Sequence, residues 1–351
     1  MTNSGLRGFS ASGSGHDKQK IVVVLGMHRS GTSAVTRGLQ ALGVELGDRL
    51  MSPIEEDNLK GYWEDIDLTA LNTEMLGAIG SDWHHMSAVD LKDIEVLREK
   101  GYFLRATELL LRKAGGAPVF GFKDPRTAKL LLFWKEVFSR CQFEVYYVIA
   151  VRHPLSVARS LVKRDGFETE QSCLLWLSYV LSSLTGSAGD KRVIVDYDRL
   201  LEDPERELLR IGKCAGLNID PAKVRDYQSE FLDRGLRHTV YGLNEFLTED
   251  GCPPIVREVY TALLEAASDG KNLEAPELHN ELAVWAAEFA RLKPLLRLVD
   301  RLFAQKSLAV QTAADCDRQI AVLYGSNSWR LTKPLRSLSR LLAGALKRAG
   351  F

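Results

Sequence analysis

A chain of 351 residues with 45% hydrophobic and 26% charged side chains buries a substantial core, which excludes an intrinsically disordered protein. Lys plus Arg and Asp plus Glu stand at 46 each, so no global field draws the chain to nucleic acid or to an anionic surface, and such attraction has to come from a local patch. Five cysteines without C-x-x-C or metal-ligand spacing predict reduced thiols, with no disulfide and no zinc.

Residues 1–19 are polar and Gly/Ser-rich and read as a flexible segment without the apolar core of a secretory signal. No later run reaches the ~18 apolar residues of a spanning helix, so a cytoplasmic location is expected. The unbroken run Ile21–Leu25 predicts a buried strand, followed by a turn over Gly26–Ser33 and a helix over Thr32–Leu42. Gly26 and Gly31 bracket His28, Arg29 and Ser30. A glycine-rich strand-to-helix turn of this kind aims backbone N–H groups at one anion. The glycine interval matches the phosphate loop G-x-x-x-x-G-K-[ST], but Thr32 holds the Lys position and the cation has moved inward to Arg29. That departure weakens the case for ATP chemistry and favours a shorter anion gripped by a permanently charged guanidinium.

Leu46–Trp63 predicts a surface connection, and Ile66–Ile79 a helix. Glu64 lies at that helix's start, where a carboxylate is electrostatically favoured, beside the apolar Tyr62 and Trp63. Trp83-His84-His85 reads as surface or pocket lining, and Leu91–Lys113 as one long amphipathic helix. Val119–Phe122 predicts a strand closed by Lys123-Asp124-Pro125-Arg126 before a helix over Thr127–Phe138. Charges at the C-terminal end of a strand lie where open α/β sheets bind ligands, although an ion-paired turn has the same pattern. Val145–Val151 is a second buried strand, leading to Arg152-His153-Pro154 and a helix that carries Ser160. An Arg at the strand end and a hydroxyl on the next helix can converge on one phosphate. A strand over Arg192–Val195 follows, with Tyr197 and Leu200 read as structural, then helices to Cys214 and over Val224–Phe231, and a basic stretch Arg234–His238.

The loop Gly26–Ser33, the KDPR turn and the eight-residue interval from Arg152 to Ser160 together resemble the sulfotransferase superfamily. The resemblance is in particular to bacterial members that use 3′-phosphoadenosine 5′-phosphosulfate (PAPS), and it covers about Lys20–His238. It implies an α/β fold with a P-loop-like parallel sheet flanked by helices, and transfer of a sulfuryl group from PAPS to a hydroxyl or amine of a glycan, lipid or other small acceptor. Gly26, Arg29, Ser30, Gly31, Thr32 and Ser33 would then hold the 5′-phosphosulfate, and Arg152 and Ser160 the 3′-phosphate. Arg237 would join them, although the family's usual RKG signature is absent. Glu64 would be the base, Arg29 would stabilise the leaving oxygen, and His28 would be the nearest acid. Lys123, Asp124 and Arg126 would lie near the acceptor, with no metal and no nucleic-acid partner. Two other classes stay open, a P-loop kinase with an altered loop and a non-catalytic nucleotide-binding or scaffold protein of a surface-glycan complex.

The expected organisation is thus a flexible segment 1–19, an α/β domain 20–240, a helical extension 241–325 and a tail 326–351. The extension predicts helices over Ile255–Ala267, Leu278–Phe303 and Lys306–Tyr324 that pack on the core or mediate self-association. The stretch Ser326–Arg336 resembles a tail at the ends of bacterial glycosyltransferases and other surface-glycan enzymes. A helix from Pro334 would set Leu335, Leu338, Leu342 and Leu346 on one face with Arg336, Arg340 and Lys347 opposite, suiting peripheral contact with the inner face of a membrane or docking on a partner.

Overall fold

The computed structural model describes residues 18–53, 60–232, 246 and 250–339. Its centre is a sheet of four strands, β1 (Lys20–Leu25), β2 (Val119–Lys123), β3 (Glu144–Val151) and β4 (Lys191–Asp196), all parallel in the order β2-β1-β3-β4. Ile21 to Leu25 are each 0% exposed, so both faces of β1 are covered, which is why its sequence is continuously apolar rather than alternating. On one face Val22, Val24, Val148 and Val195 pack with Val35, Leu39, Leu208 and Ile211.

The topology places the site. Because the strands are parallel, the residues that follow each of them, Gly26, Asp124, Arg152 and Tyr197, emerge along one edge of the sheet. The chain leaves β1 to one side for β2 and returns on its other side at β3, the change of direction at which open α/β sheets bind ligands.

The helices begin with α1 (Thr32–Gly38), extended by a tighter turn over Leu39–Leu42, and α2 (Ile66–Ala78). The single helix expected over Leu91–Lys113 is two, α3 (Leu91–Glu99) and α4 (Tyr102–Ala114). Gly101 between them takes a left-handed φ of 78°, a helix-ending conformation that costs glycine little. The helix expected over Thr127–Phe138 is likewise broken at Leu130 into α5 (Arg126–Lys129) and α6 (Leu131–Arg140). Then come α7 (Pro154–Asp165), α8 (Thr169–Gly186), α9 (Tyr197–Glu202), α10 (Pro204–Ala215) and α11 (Pro221–Asp226). After these, α12 (Pro254–Ala267) packs on β4 and α13 (Pro276–Arg291) on α8.

The chain divides into two compact units, Met1–Lys293 and Pro294–Phe351. The expected break between Phe303 and Lys306 does not occur: α14 runs unbroken over Lys293–Gly325. Pro294 stands in its first turn, where proline is tolerated, and no glycine or proline follows until Gly325. A short α15 (Asn327–Leu331) follows it. All five cysteines are free thiols. Among the described residues no helix is long and apolar enough to cross a membrane.

Candidate active site

The Gly26–Ser33 loop departs from β1 through conformations that its two glycines make accessible. Gly26 has a φ of 142° and a β-carbon there would lie 2.5 Å from the Ala150 carbonyl oxygen, so the loop hugs β3. Gly31 has a φ of 81°, and a β-carbon there would lie 2.1 Å from Cδ2 of Tyr197. Arg29 also adopts a left-handed φ, 69°, a strain tolerated where the surroundings over-determine the backbone. Gly31→Ala should therefore lower stability by about 2–4 kcal/mol through backbone strain and overpacking. A thermal melt checks this, and Gly31→Ala/Tyr197→Ala should recover part of the loss because it removes the clash but not the strain. No recovery would mean that Tyr197 does not set the loop's limit.

What over-determines Arg29 comes from β3 and α7. Its Nε donates to Ser160 Oγ at 2.7 Å, and its carbonyl accepts from an Arg152 guanidinium nitrogen at 3.2 Å. The Arg152 guanidinium lies over the Tyr197 ring, 4.7 Å from its centroid. Arg152 and Ser160 are thus brought together through Arg29. Tyr197 was read as structural, yet it backs both Gly31 and Arg152; its place directly after β4 was the available signal.

The other end of the loop meets Glu64. Ser33 Oγ donates to the Tyr62 carbonyl at 3.0 Å, and Lys123 Nζ lies 3.5 Å from Ser33 Oγ and 2.5 Å from Glu64 Oε1. The helix start itself is served by another residue: Asp65 is the N-cap of α2, accepting from the Asp67 and Leu68 amides at 3.0 and 3.2 Å. Glu64 is therefore released from capping and buried against Lys123, with an Arg126 nitrogen 4.0 Å from Oε2. Burial raises the Glu64 carboxyl above the usual range, with Lys123 pulling the other way and Asp124 adding to the rise. Asp124 is fully buried and committed, its oxygens accepting from Asn72 Nδ2 at 2.8 Å and from the Arg126 amide and guanidinium at 3.1 and 2.9 Å. Within the KDPR turn, then, Lys123 and Arg126 approach Glu64 while Asp124 holds the turn.

His28 packs 4.8 Å from the Trp83 ring and 5.9 Å from Tyr179. Burial, and then the charges of Arg126, Arg164, Lys123 and Arg29, keep its imidazole well below the usual pKa and so neutral. Trp83 and Tyr179 carried no sequence signal as its neighbours. Asp48, Asp65 and Asp67 come close enough together to ligate a cation, but Lys113 already supplies one: its ammonium lies 2.9 Å from Asp65 and 2.6 Å from Asp67 and also pairs with Asp48. Arg237 lies outside the described residues.

The Sulfotransferase family model matches residues 22–221, more than half of the chain. Among solved structures, similarity is found to the sulfotransferase domain of the Synechococcus PCC 7002 olefin synthase, with 16% identity, 79% of this chain and 97% of that one covered, and a TM-score of 0.37. A sulfotransferase of Mycobacterium tuberculosis gives 14% identity, 72% and 77% coverage and a TM-score of 0.33. Retinol dehydratase in complex with androsterone and inactive cofactor PAP gives 13%, 79%, 82% and 0.29. No curated protein matches. The family match begins inside β1 and runs through the loop, the KDPR turn and the Arg152–Ser160 pair to α11, and by it this chain belongs to the sulfotransferase family.

Proposed function

We propose that the chain transfers a sulfuryl group from PAPS to a hydroxyl or amine of a glycan, lipid-linked sugar or other small acceptor. One observation carries this reading: a single loop is tied at Ser33 to the Glu64–Lys123 pair and at Arg29 to Arg152 and Ser160. A base and an anion grip are thereby held at the two ends of one phosphate cradle. The residues fit a polyanionic nucleotide, because His28 Nε2, Ser30 Oγ and Arg152 Nε are shut off from water with no hydrogen-bond partner among the described residues. Buried polar atoms in that state favour a ligand that pairs with them.

When bound, PAPS supplies a sulfuryl group joined to a good leaving phosphate. Glu64 takes the acceptor proton at Oε2, since Oε1 is committed to Lys123. Lys123, between base and loop, stabilises negative charge developing there, and Arg29, always protonated, does the same at the leaving oxygen. Gly26, Ser30, Gly31, Thr32 and Ser33 cradle the 5′-phosphosulfate. Arg126 faces the acceptor side beside Glu64. His28 is neutral in the free protein, so its part is hydrogen bonding to the leaving oxygen, and acid catalysis from it requires the bound anion to raise its proton affinity. Ser160 Oγ accepts from Arg29, which leaves its O–H to donate alongside Arg152 to the 3′-phosphate. These cations supply the positive charge that other phosphoryl-type sites draw from a metal.

Thermal-shift titration with PAP, ATP and ADP tests the reading, with PAP-selective stabilisation expected; ATP selectivity points to kinase chemistry and overturns it. PAP binding without sulfate-mass products, when cell-envelope extracts are incubated with PAPS and protein, points to a non-catalytic scaffold. Arg152→Ala should weaken PAP by about 1.5–3 kcal/mol, the range for a hydrogen bond to a charged group, and weaken adenosine 5′-phosphosulfate less, although Arg152 also holds the Arg29 carbonyl of the loop. Equal weakening of both ligands removes Arg152 from the 3′-phosphate.

A further inference from the structure

We infer that the elbow around Trp329–Leu338 is a docking surface for an anionic lipid bilayer. The inference does not depend on the sulfuryl donor. From Arg318 to Phe351 the sequence carries seven Lys or Arg and no Asp or Glu, in a chain otherwise balanced at 46 of each sign. The rest of the chain is acidic by the same margin, so its net charge adds nothing to the attraction of this stretch for an anionic surface.

The described part of the segment shows how the charge is presented. Ser326 Oγ accepts from the Trp329 amide at 3.2 Å and caps α15. The Trp329 ring lies between Tyr324, 5.1 Å away edge-on, and the Arg336 guanidinium, 3.8 Å from the ring centroid. Arg336 also donates to the Trp329 carbonyl and to Thr332 Oγ1, and residues 333–339 continue as helix. The tryptophan, threonine and second arginine of the Ser326–Arg336 stretch thus build an elbow, and Arg336 is spent on holding it.

Around that elbow the apolar side chains face water: Leu331 is 79% exposed, Leu335 68% and Leu338 57%. Leu335 and Leu338, three residues apart, share one helix face, and Arg330 and Lys333 are exposed beside them. Exposed leucines call for an apolar medium and exposed cations for anions. Nucleic acid offers only the anions, and a second copy of the segment brings like charge against like. A bilayer with anionic headgroups offers both, and Trp329 and Tyr324 are residue types that settle at its interface.

The test is co-sedimentation of the full chain with vesicles of phosphatidylcholine alone or containing about a third phosphatidylglycerol. Binding is expected to the anionic vesicles only and should collapse by about 0.5 M salt, where the screening length falls to a few ångströms. Arg330→Gln/Lys333→Gln should lower the partition coefficient roughly tenfold or more. Leu335→Ser/Leu338→Ser should also lower it, with an unchanged melting curve. Failure of the wild-type chain to sediment, or equal binding to neutral vesicles, overturns the inference. So does a dimer in sedimentation velocity that Leu335→Ser/Leu338→Ser dissolves while vesicles stay unbound, which assigns the face to a second copy. Oligonucleotide binding indifferent to the leucine pair, without vesicle binding, assigns it to a polyanion.

Discussion

Glu64→Gln leaves PAP affinity near wild type and lowers sulfate transfer from PAPS by about two to four orders of magnitude, the share of a positioned general base. The substitution keeps the side chain's size and an oxygen that can still accept from Lys123 at the 2.5 Å contact, so the loop's attachment through Ser33 survives. What is lost is the lone pair at Oε2 that takes the acceptor proton. The pH profile gives an independent reading: burial raises the Glu64 carboxyl, and a base acts only when ionised. Turnover should therefore climb with pH through a value above the ordinary carboxylate range, and Glu64→Gln should flatten that limb. Near-normal turnover in the variant returns Glu64 to a structural partner of Lys123 and makes His84 or His85 the next base to examine.

Lys113→Met should destabilise the protein by about 3–5 kcal/mol, because removing one member of a buried ion pair leaves the other charge uncompensated. The Lys113 side chain is 2% exposed and that of Asp65 1%, so the loss falls on the buried Asp65. Asp65 is also the cap of α2, and Glu64 precedes it, so the same change should loosen the base's position. The acid side of the stability curve carries the signature. Hydrogen bonds from Lys113 hold the Asp48 and Asp67 carboxyls below their unfolded values. Their contribution is therefore fully present above an unfolded pKa of about 4 and is lost as pH falls through the lower folded values. Wild type should lose stability more steeply than Lys113→Met in that window. Parallel acid limbs in denaturant melts would show that Lys113 is not what depresses them.

Much of the α/β core was legible in the sequence because burial on both faces leaves an apolar run in the chain itself, as in Ile21–Leu25 and Val145–Val151. Strand-end residues were legible for a related reason: a parallel sheet puts its ligands at C-terminal strand ends, so Lys123, Asp124 and Arg152 announce themselves by following apolar runs. Helix breaks were less legible. Gly101 and Leu130 end helices through local dihedrals that interrupt the apolar pattern only slightly, whereas the helices expected over Leu278–Phe303 and Lys306–Tyr324 meet at Leu292 rather than between Phe303 and Lys306.

Residue identities and spacing by themselves determined the glycine-bracketed loop, its displaced cation at Arg29, the KDPR turn and the basic, acid-free tail, because each is a property of neighbours in the chain. Only the tertiary structure decided that Arg29 is shared between Arg152 and Ser160, that Asp65 caps α2 and leaves Glu64 to Lys123, and that Lys113 fills a ring of carboxylates. The physical reason is sequence distance: Lys123 and Glu64 stand 59 residues apart and Arg29 and Ser160 131 apart. Contacts that long are set by how four strands align at one sheet edge and by which buried charge meets which partner. No periodicity along the chain encodes that choice.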